Sequence, residues 1–296
     1  MSDPQRSDDP FQRPIPFAAT SVEPPRRSHP MLLPVLLIVI NAAVWLWNIA
    51  QGVNWHAPKT ADLQDWGGNI ALLTLTEQPW RLFTSMFLHA GVMHLFFNMY
   101  FLFQIGPLLV LRKGSIGFAI VYLCGGLLAS ASSAWWQTQR MFAQGVAPIA
   151  GGLPPIKLIV SVGASGAIMA VAGALACSLV MSHYRARAGA RRHTEVIAME
   201  RQLTLSLLQV IGVNVLMGFF IAGLDQAAHI RGLLAGALLG WVLPDVASRA
   251  TAAARWLRAA VAAGVSTALL AGIWTVAANT PQMQQIREVL RQEAQE

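Results

Sequence analysis

Apolar residues along this chain gather into seven long runs instead of recurring in short amphipathic windows. The runs fall near 31–50, 91–111, 115–135, 162–182, 203–222, 226–246 and 256–277. A bilayer core of about 30 Å takes roughly 20 helical residues at about 1.5 Å each, so each run predicts one spanning helix. Helices are required because lipid offers no hydrogen-bond partner to an exposed backbone. The predicted class is therefore all-α, a polytopic membrane helical bundle. Its expected organisation is a six-span core at 31–246, a linker and extra C-terminal span at 247–278, and a short polar tail at 279–296. Residues 1–30 carry Pro4, Pro10, Pro14, Pro16, Pro24, Pro25 and Pro30 among mixed charges. They read as a disordered N-terminal tail with too little apolar surface to offset the cost of ordering. Two further stretches, 51–90 and 136–161, do not span. Trp55, Trp66, Trp80, Pro154 and Pro155 suit them to a membrane interface.

Composition agrees with this pattern. Charged residues make up 12% of the 296, about half of what soluble domains carry, hydrophobic residues reach 55%, and mean hydropathy is +0.49. These values exclude a soluble globular protein, a disordered chain and a nucleic-acid binder. The net charge of +7 is spread over short basic clusters between runs, which report topology. With the N-terminus in the cytoplasm, most of the 21 Lys and Arg fall inside. Arg26 and Arg27, Arg112 and Lys113, Arg185 to Arg201, and Arg249 to Arg258 are among them. The expected orientation is N-in and C-out. No secretory signal peptide is recognisable, which suits a bacterial plasma (inner) membrane. Cys124 and Cys177 both lie in apolar runs and suggest no disulfide framework.

Of seven histidines, His89, His94 and His229 alone lie in or beside apolar runs. Ionisable side chains at membrane depth are functional candidates. Asn98 follows His94 by four residues and shares its helix face. Ser165 stands between Gly163 and Gly166 at the start of run four, and His229 opens run six. In the N-in orientation runs two, four and six all travel inward, so these four side chains reach similar depth near the outer face. The set reads as a nucleophile, a base and two oxyanion donors. His229, Gly232, Gly236 and Gly240 share one face of run six, and small residues at that spacing let helices approach closely in lipid. Each feature taken singly has a plainer reading. The glycines around Ser165 make a packing patch, His94 and Asn98 an interhelical hydrogen bond, and His229 an interfacial histidine. Their coincidence at one depth favours chemistry. Asp225 reads as the N-cap of run six and not as a third catalytic member. Arg81 beside Trp80 reads as an interface anchor. No His, Cys and carboxylate cluster has ligand spacing, so neither metal nor organic cofactor is expected.

Three motifs carry a family resemblance. They are Trp80-Arg81-Leu82-Phe83-Thr84 followed by Phe87-Leu88-His89-Ala90-Gly91-Val92-Met93-His94-Leu95-Phe96-Phe97-Asn98, then Gly163-Ala164-Ser165-Gly166, then Ala228-His229-Ile230-Arg231-Gly232 with Gly236 beyond. In this order the chain resembles the rhomboid intramembrane serine proteases over roughly residues 31–246. The resemblance implies a six-helix core with one added span, a Ser165–His229 dyad and an oxyanion site using His94 and Asn98. It also implies single-span membrane protein substrates cut near the outer membrane boundary, with a site open to the outer side. The sequence departs from the family at Arg231, where members often carry glycine, at Met169, where some bacterial members place tyrosine, and at Val110, near the place of a common glutamate. The rival readings are a non-catalytic rhomboid-like protein that binds transmembrane clients and, third, a transporter. Beyond transmembrane substrates and membrane lipid no partner is implied, no nucleic acid is expected, and the oligomeric state is left open.

Overall fold

A computed structural model describes residues 29–144, 159–187, 194–220, 225–246 and 250–293. The described residues form α1 (Leu32–Ala50), α2 (Thr60–Asp65), α3 (Ala71–Thr76), α4 (Arg81–Thr84), a 3-10 turn at Ser85–Phe87, and α5 (Val92–Ala143). Then follow α6 (Ser165–Arg187), α7 (Thr194–Phe220), α8 (Gln226–Val242), α9 (Ala252–Ala278) and α10 (Pro281–Glu293). Among the described residues α1, α5, α6 and α9 are long and apolar enough to cross a bilayer. At 52 residues α5 would measure about 78 Å if straight, far beyond one membrane thickness. It is broken at Gly114, whose φ of 77° and ψ of 169° are non-helical and open mainly to glycine. The two arms of α5 occupy runs two and three, while α7 and α8 occupy runs five and six.

Several expected boundaries move for local reasons. Run four was expected to start at 162, but α6 begins at Ser165 because Gly163, with φ 121°, turns the chain just before it. Run six was expected to reach 246, but α8 stops at Val242. Leu243 is extended, as the residue before a proline prefers to be, and Pro244 follows. The arm of α5 after Gly114 continues to Ala143, past the expected end at 135. The stretch expected as a polar tail at 279–296 forms α10 through Glu293. Its Met283 and Ile286 are fully buried against Leu72 and Leu75 of α3 and Ala277 of α9. Pro154 and Pro155, and residues 1–28, lie outside the described residues.

The distribution of polarity is that of a protein solvated by lipid. On α1, Leu32, Leu36, Val39, Leu46 and Trp47 are exposed while Asn41 and Asn48 are buried. Asn41 settles its amide on the Leu37 carbonyl at 2.8 Å. The same inversion holds on α9, where Trp256, Leu257, Val261 and Leu269 face outward and Ser266 faces inward. Hydrocarbon outside removes the reason to hide apolar side chains, and buried polar groups pair between or within helices instead.

The centre of the bundle is α6, whose Ala167, Ile168, Ala170, Val171, Ala174 and Leu175 are essentially inaccessible. Its closest neighbour is α8. A Cβ added at Gly232 would come within 2.3 Å of the Gly166 carbonyl oxygen, and one at Gly236 within 1.9 Å of the Ala170 oxygen. In return, a Cβ on Gly173 of α6 would come within 2.0 Å of the Leu233 oxygen. Backbone therefore meets backbone along this seam, as the glycine spacing predicts. At its far end Lys113, read from sequence as part of a cytoplasmic basic cluster between runs, is buried. Its ammonium donates to the Gly240 and Leu243 oxygens at 2.7 and 2.6 Å and pairs with Asp245 at 2.9 Å. It thereby satisfies carbonyls that the end of α8 leaves without partners.

Candidate active site

The α6–α8 seam opens at its other end into a cavity of about 480 Å³ lined by His94, Ser165 and His229 among others. Ser165 is the first residue of α6, at the helix N-terminus, where N–H groups lack intrahelical acceptors and the helix dipole is positive. His229 lies in the first turn of α8 and is 3% exposed. Its Nε2 stands 2.8 Å from Ser165 Oγ. The glycine contacts below them set this approach, since any side chain at Gly232 would drive α8 from α6 one turn beneath the pair.

His94 comes to the cavity wall from the first arm of α5, and Asn98 is buried one turn further along the same arm. A Cβ on Gly163 would sit 2.7 Å from His94 Cε1, 2.8 Å from its Nε2 and 3.6 Å from Asn98 Nδ2. Gly163 thus does two things, adopting a positive φ and leaving room for the imidazole. Its N–H donates to the Ser85 carbonyl at 2.9 Å, tying this turn to the 3-10 element. His94 Nδ1 accepts from the Ala90 N–H at 3.3 Å, and Nε2 is buried without a partner. A neutral imidazole that accepts at Nδ1 must carry its proton on Nε2, which makes that nitrogen a donor at the cavity wall. Asn98 spends one amide hydrogen on the His94 carbonyl at 3.0 Å and retains another.

Asp225 is the N-cap of α8: its Oδ1 accepts from the Ala228 N–H at 3.0 Å. His229 Nδ1 is buried with no hydrogen-bond partner, so Asp225 does not complete a triad. Arg81 corrects the interface-anchor reading. It is 6% exposed and turns inward, donating to the Gln64 and Gly68 carbonyls at 2.6 and 3.0 Å and to Gln78 at 2.6 Å. Its role is to hold the α2–α4 stretch together, with its guanidinium 4.8 Å from the Trp80 ring centre. His89, just ahead of α5, is buried against His94 with ring centres 5.2 Å apart. Burial, with a smaller push from His94, holds its imidazole well below the usual histidine range. Of the three departures from the family pattern, Met169 and Val110 are buried, and Arg231 lays its guanidinium 5.1 Å from the Trp136 ring centre.

Sequence reasoning missed a polar belt along the cavity, which Ser85, Ser130 and Ser161 line. Asn69 and Ser161 exchange backbone hydrogen bonds at 3.0 and 2.9 Å. The Asn69 amide donates to both the carbonyl and the hydroxyl of Ser130 at 2.9 Å and accepts from Thr74 at 2.8 Å. Ser85 and Ser130 hydroxyls meet at 3.3 Å. Ser130 inside run three and Ser161 beside run four were the available signal, since each needs a partner at that depth.

The family model of the rhomboid domain matches residues 76–245. "Rhomboid protease AarA" of Providencia stuartii is 29% identical over 207 residues, 70% of this chain and 70% of its own length. "RHOMBOID-like protein 6, mitochondrial" of Arabidopsis thaliana is 31% identical over 56% of this chain and 44% of its length. "Rhomboid protease GluP" of Bacillus subtilis (strain 168) is 28% identical over 62% of this chain and 30% of its length. The chain thus spans less than half of the latter two relatives.

Proposed function

The chain belongs to the rhomboid family of integral membrane proteins, and on that premise we propose that it is a serine-type intramembrane endopeptidase. The observation that supports the proposal is the 2.8 Å approach of His229 Nε2 to Ser165 Oγ, both of which line the cavity. A serine hydroxyl is a poor nucleophile until a base takes its proton, and imidazole is suited to that task. For Nε2 to accept, the neutral ring carries its proton on Nδ1. His229 removes the Ser165 proton as Oγ attacks the scissile carbonyl. The negative oxygen of the tetrahedral intermediate is held by the His94 Nε2–H, the Asn98 amide and the Ser165 N–H, and one such donor is worth about 2.7–4 kcal/mol. His229 then protonates the leaving amine, and water releases the acyl group with the same histidine acting as base. No step calls on a metal or an organic cofactor.

The six-span core at 31–246 carries the site, with the seventh span and α10 appended. The basic clusters support an N-in, C-out arrangement in a bacterial plasma membrane with the cavity open to the outer side. Substrates are single-span membrane proteins cut near the outer boundary. The test is cleavage of a single-span model substrate reconstituted in lipid, with fluorophosphonate labelling alongside. Wild type cuts and is labelled, while folded Ser165→Ala and His229→Ala do neither. A wild type that neither cuts nor labels overturns the proposal in favour of a client-binding protein.

A further inference from the structure

The carboxylate of Asp225 does more than cap α8. Its second oxygen, Oδ2, accepts from the Ser161 hydroxyl at 2.8 Å, from the Ser133 hydroxyl, and from Gln137 Nε2 at 3.5 Å. Gln137 also donates to Ser133 at 3.1 Å. One side chain therefore joins three pieces of the chain: the N-terminus of α8, the segment that leads into α6, and the second arm of α5. Ser161 lies four residues before Ser165, and Asp225 lies four residues before His229. Each member of the reacting pair is thus anchored a short, stiff distance from the same joint. On its other side Ser161 is held by its backbone pairing with Asn69.

We propose that Asp225 is a positioning residue whose carboxylate, by binding Ser161, Ser133 and the first turn of α8 together, fixes the separation of Ser165 Oγ and His229 Nε2. The inference rests on the catalytic reading of that pair. It involves no hydrogen bond to the imidazole, because His229 Nδ1 has no hydrogen-bond partner. Chemistry favours a carboxylate at this joint. Two hydroxyls, an amide N–H and a backbone N–H all donate, and an ionised carboxylate is all acceptor, with about four lone-pair sites. An asparagine offers one acceptor oxygen and turns an NH₂ toward one set of donors. Alignment of reacting groups tolerates little error, and a shift of about 1 Å can cost about 100-fold in rate.

The test uses full-length protein in lipid with Asp225→Ala, Asp225→Asn, Ser161→Ala and the Asp225→Ala/Ser161→Ala double variant. Rates are referred to the amount of folded protein, read by circular dichroism, so that loss of folded protein does not count as loss of rate. Asp225→Ala is expected to lower kcat by about tenfold or more with KM within about twofold of wild type. Asp225→Asn recovers part of that loss. Ser161→Ala keeps the charge and the cap and lowers kcat by a few-fold. It adds nothing in the double variant, because both changes break one joint. Hydrogen exchange at the Ser161 and Ala228 amides, which requires no substrate, accelerates in Asp225→Ala. The proposal is overturned by an unchanged kcat per folded enzyme, by losses that multiply in the double variant, or by unchanged exchange at both amides. Should wild type itself fail to cut while exchange still responds, the joint stands and the catalytic reading falls.

Discussion

Helices α8 and α9 both carry glycines and both lie in apolar runs, yet the glycines mean opposite things. Along α8, Gly232, Gly236 and Gly240 press on α6, where an added Cβ would approach backbone atoms to 2.3, 1.9 and 2.7 Å. Along α9, Gly264 and Gly272 have no atom within 4 Å of such a Cβ. The most apolar stretch of α6, the partner of α8, is 61% buried, while that of α9 is 11% buried. Small residues at a spacing of four mark a packed seam only when a facing helix offers its own small surface. On α6 that surface is Gly166, Ala170 and Ala174. Ser165 and His229 meet at the end of the tight seam and not on the loose helix, since tight packing holds two side chains on different helices within a hydrogen bond of each other.

The largest expected effect lies at the other end of the same seam. Lys113→Met leaves Asp245 and the last carbonyls of α8 without the ammonium that satisfies them. Removing one partner of a buried pair costs about 3–5 kcal/mol. Thermal unfolding in detergent should show it, and Lys113→Met/Asp245→Leu should recover part. Gly236→Ala comes next, at about 1–3 kcal/mol for overpacking against the Ala170 carbonyl. Its effect on cleavage should exceed its effect on unfolding, because a widened seam separates Ser165 from His229. An unaltered rate in Gly236→Ala would break the link between seam and site.

Much of the seam was legible in the sequence because it is local and periodic. The glycine stripe of α8 and the break between Lys113 and Ser115 follow from local spacing, and Ser165, His229, His94 and Asn98 stand out as polar residues in or at the starts of three apolar runs. What was not legible depends on partners far away in the chain. Lys113 read only as a topological marker because nothing local says that Asp245 will meet it. Arg81 looked like an interface anchor because its acceptors are the Gln64 and Gly68 carbonyls, and backbone groups carry no sequence signal. The joint around Asp225 draws on Ser133, Gln137 and Ser161, from two separate segments. The region of α10 was read as a tail because its mean polarity is high. Its two anchors, Met283 and Ile286, lie three apart on one helical face.

A smaller effect is expected where α9 ends. Ile286 is fully buried in the cluster that fastens α10 to α3 and α9. Ile286→Ala should cost about 2 kcal/mol, the low end for such a truncation. The loss should appear as faster hydrogen exchange in α10 and α3, with the α6–α8 seam unaffected. Exchange that rises equally across the bundle would show that α10 is part of the core and not an attachment to it.

The smallest effect is the sharpest test of the comparison. Gly264→Ala and Gly272→Ala place a methyl group where the chain offers no neighbour within 4 Å. Both positions are helical, and at an exposed helical site alanine is favoured over glycine by about 0.8–1 kcal/mol. The double variant should therefore unfold no earlier than wild type and cut at an unchanged rate. The change made at Gly264 and Gly272 is the same one that disrupts the bundle at Gly236. The difference then lies wholly in what faces each helix. If the double variant instead loses stability or activity, the outer face of α9 is occupied in the membrane by another protein surface.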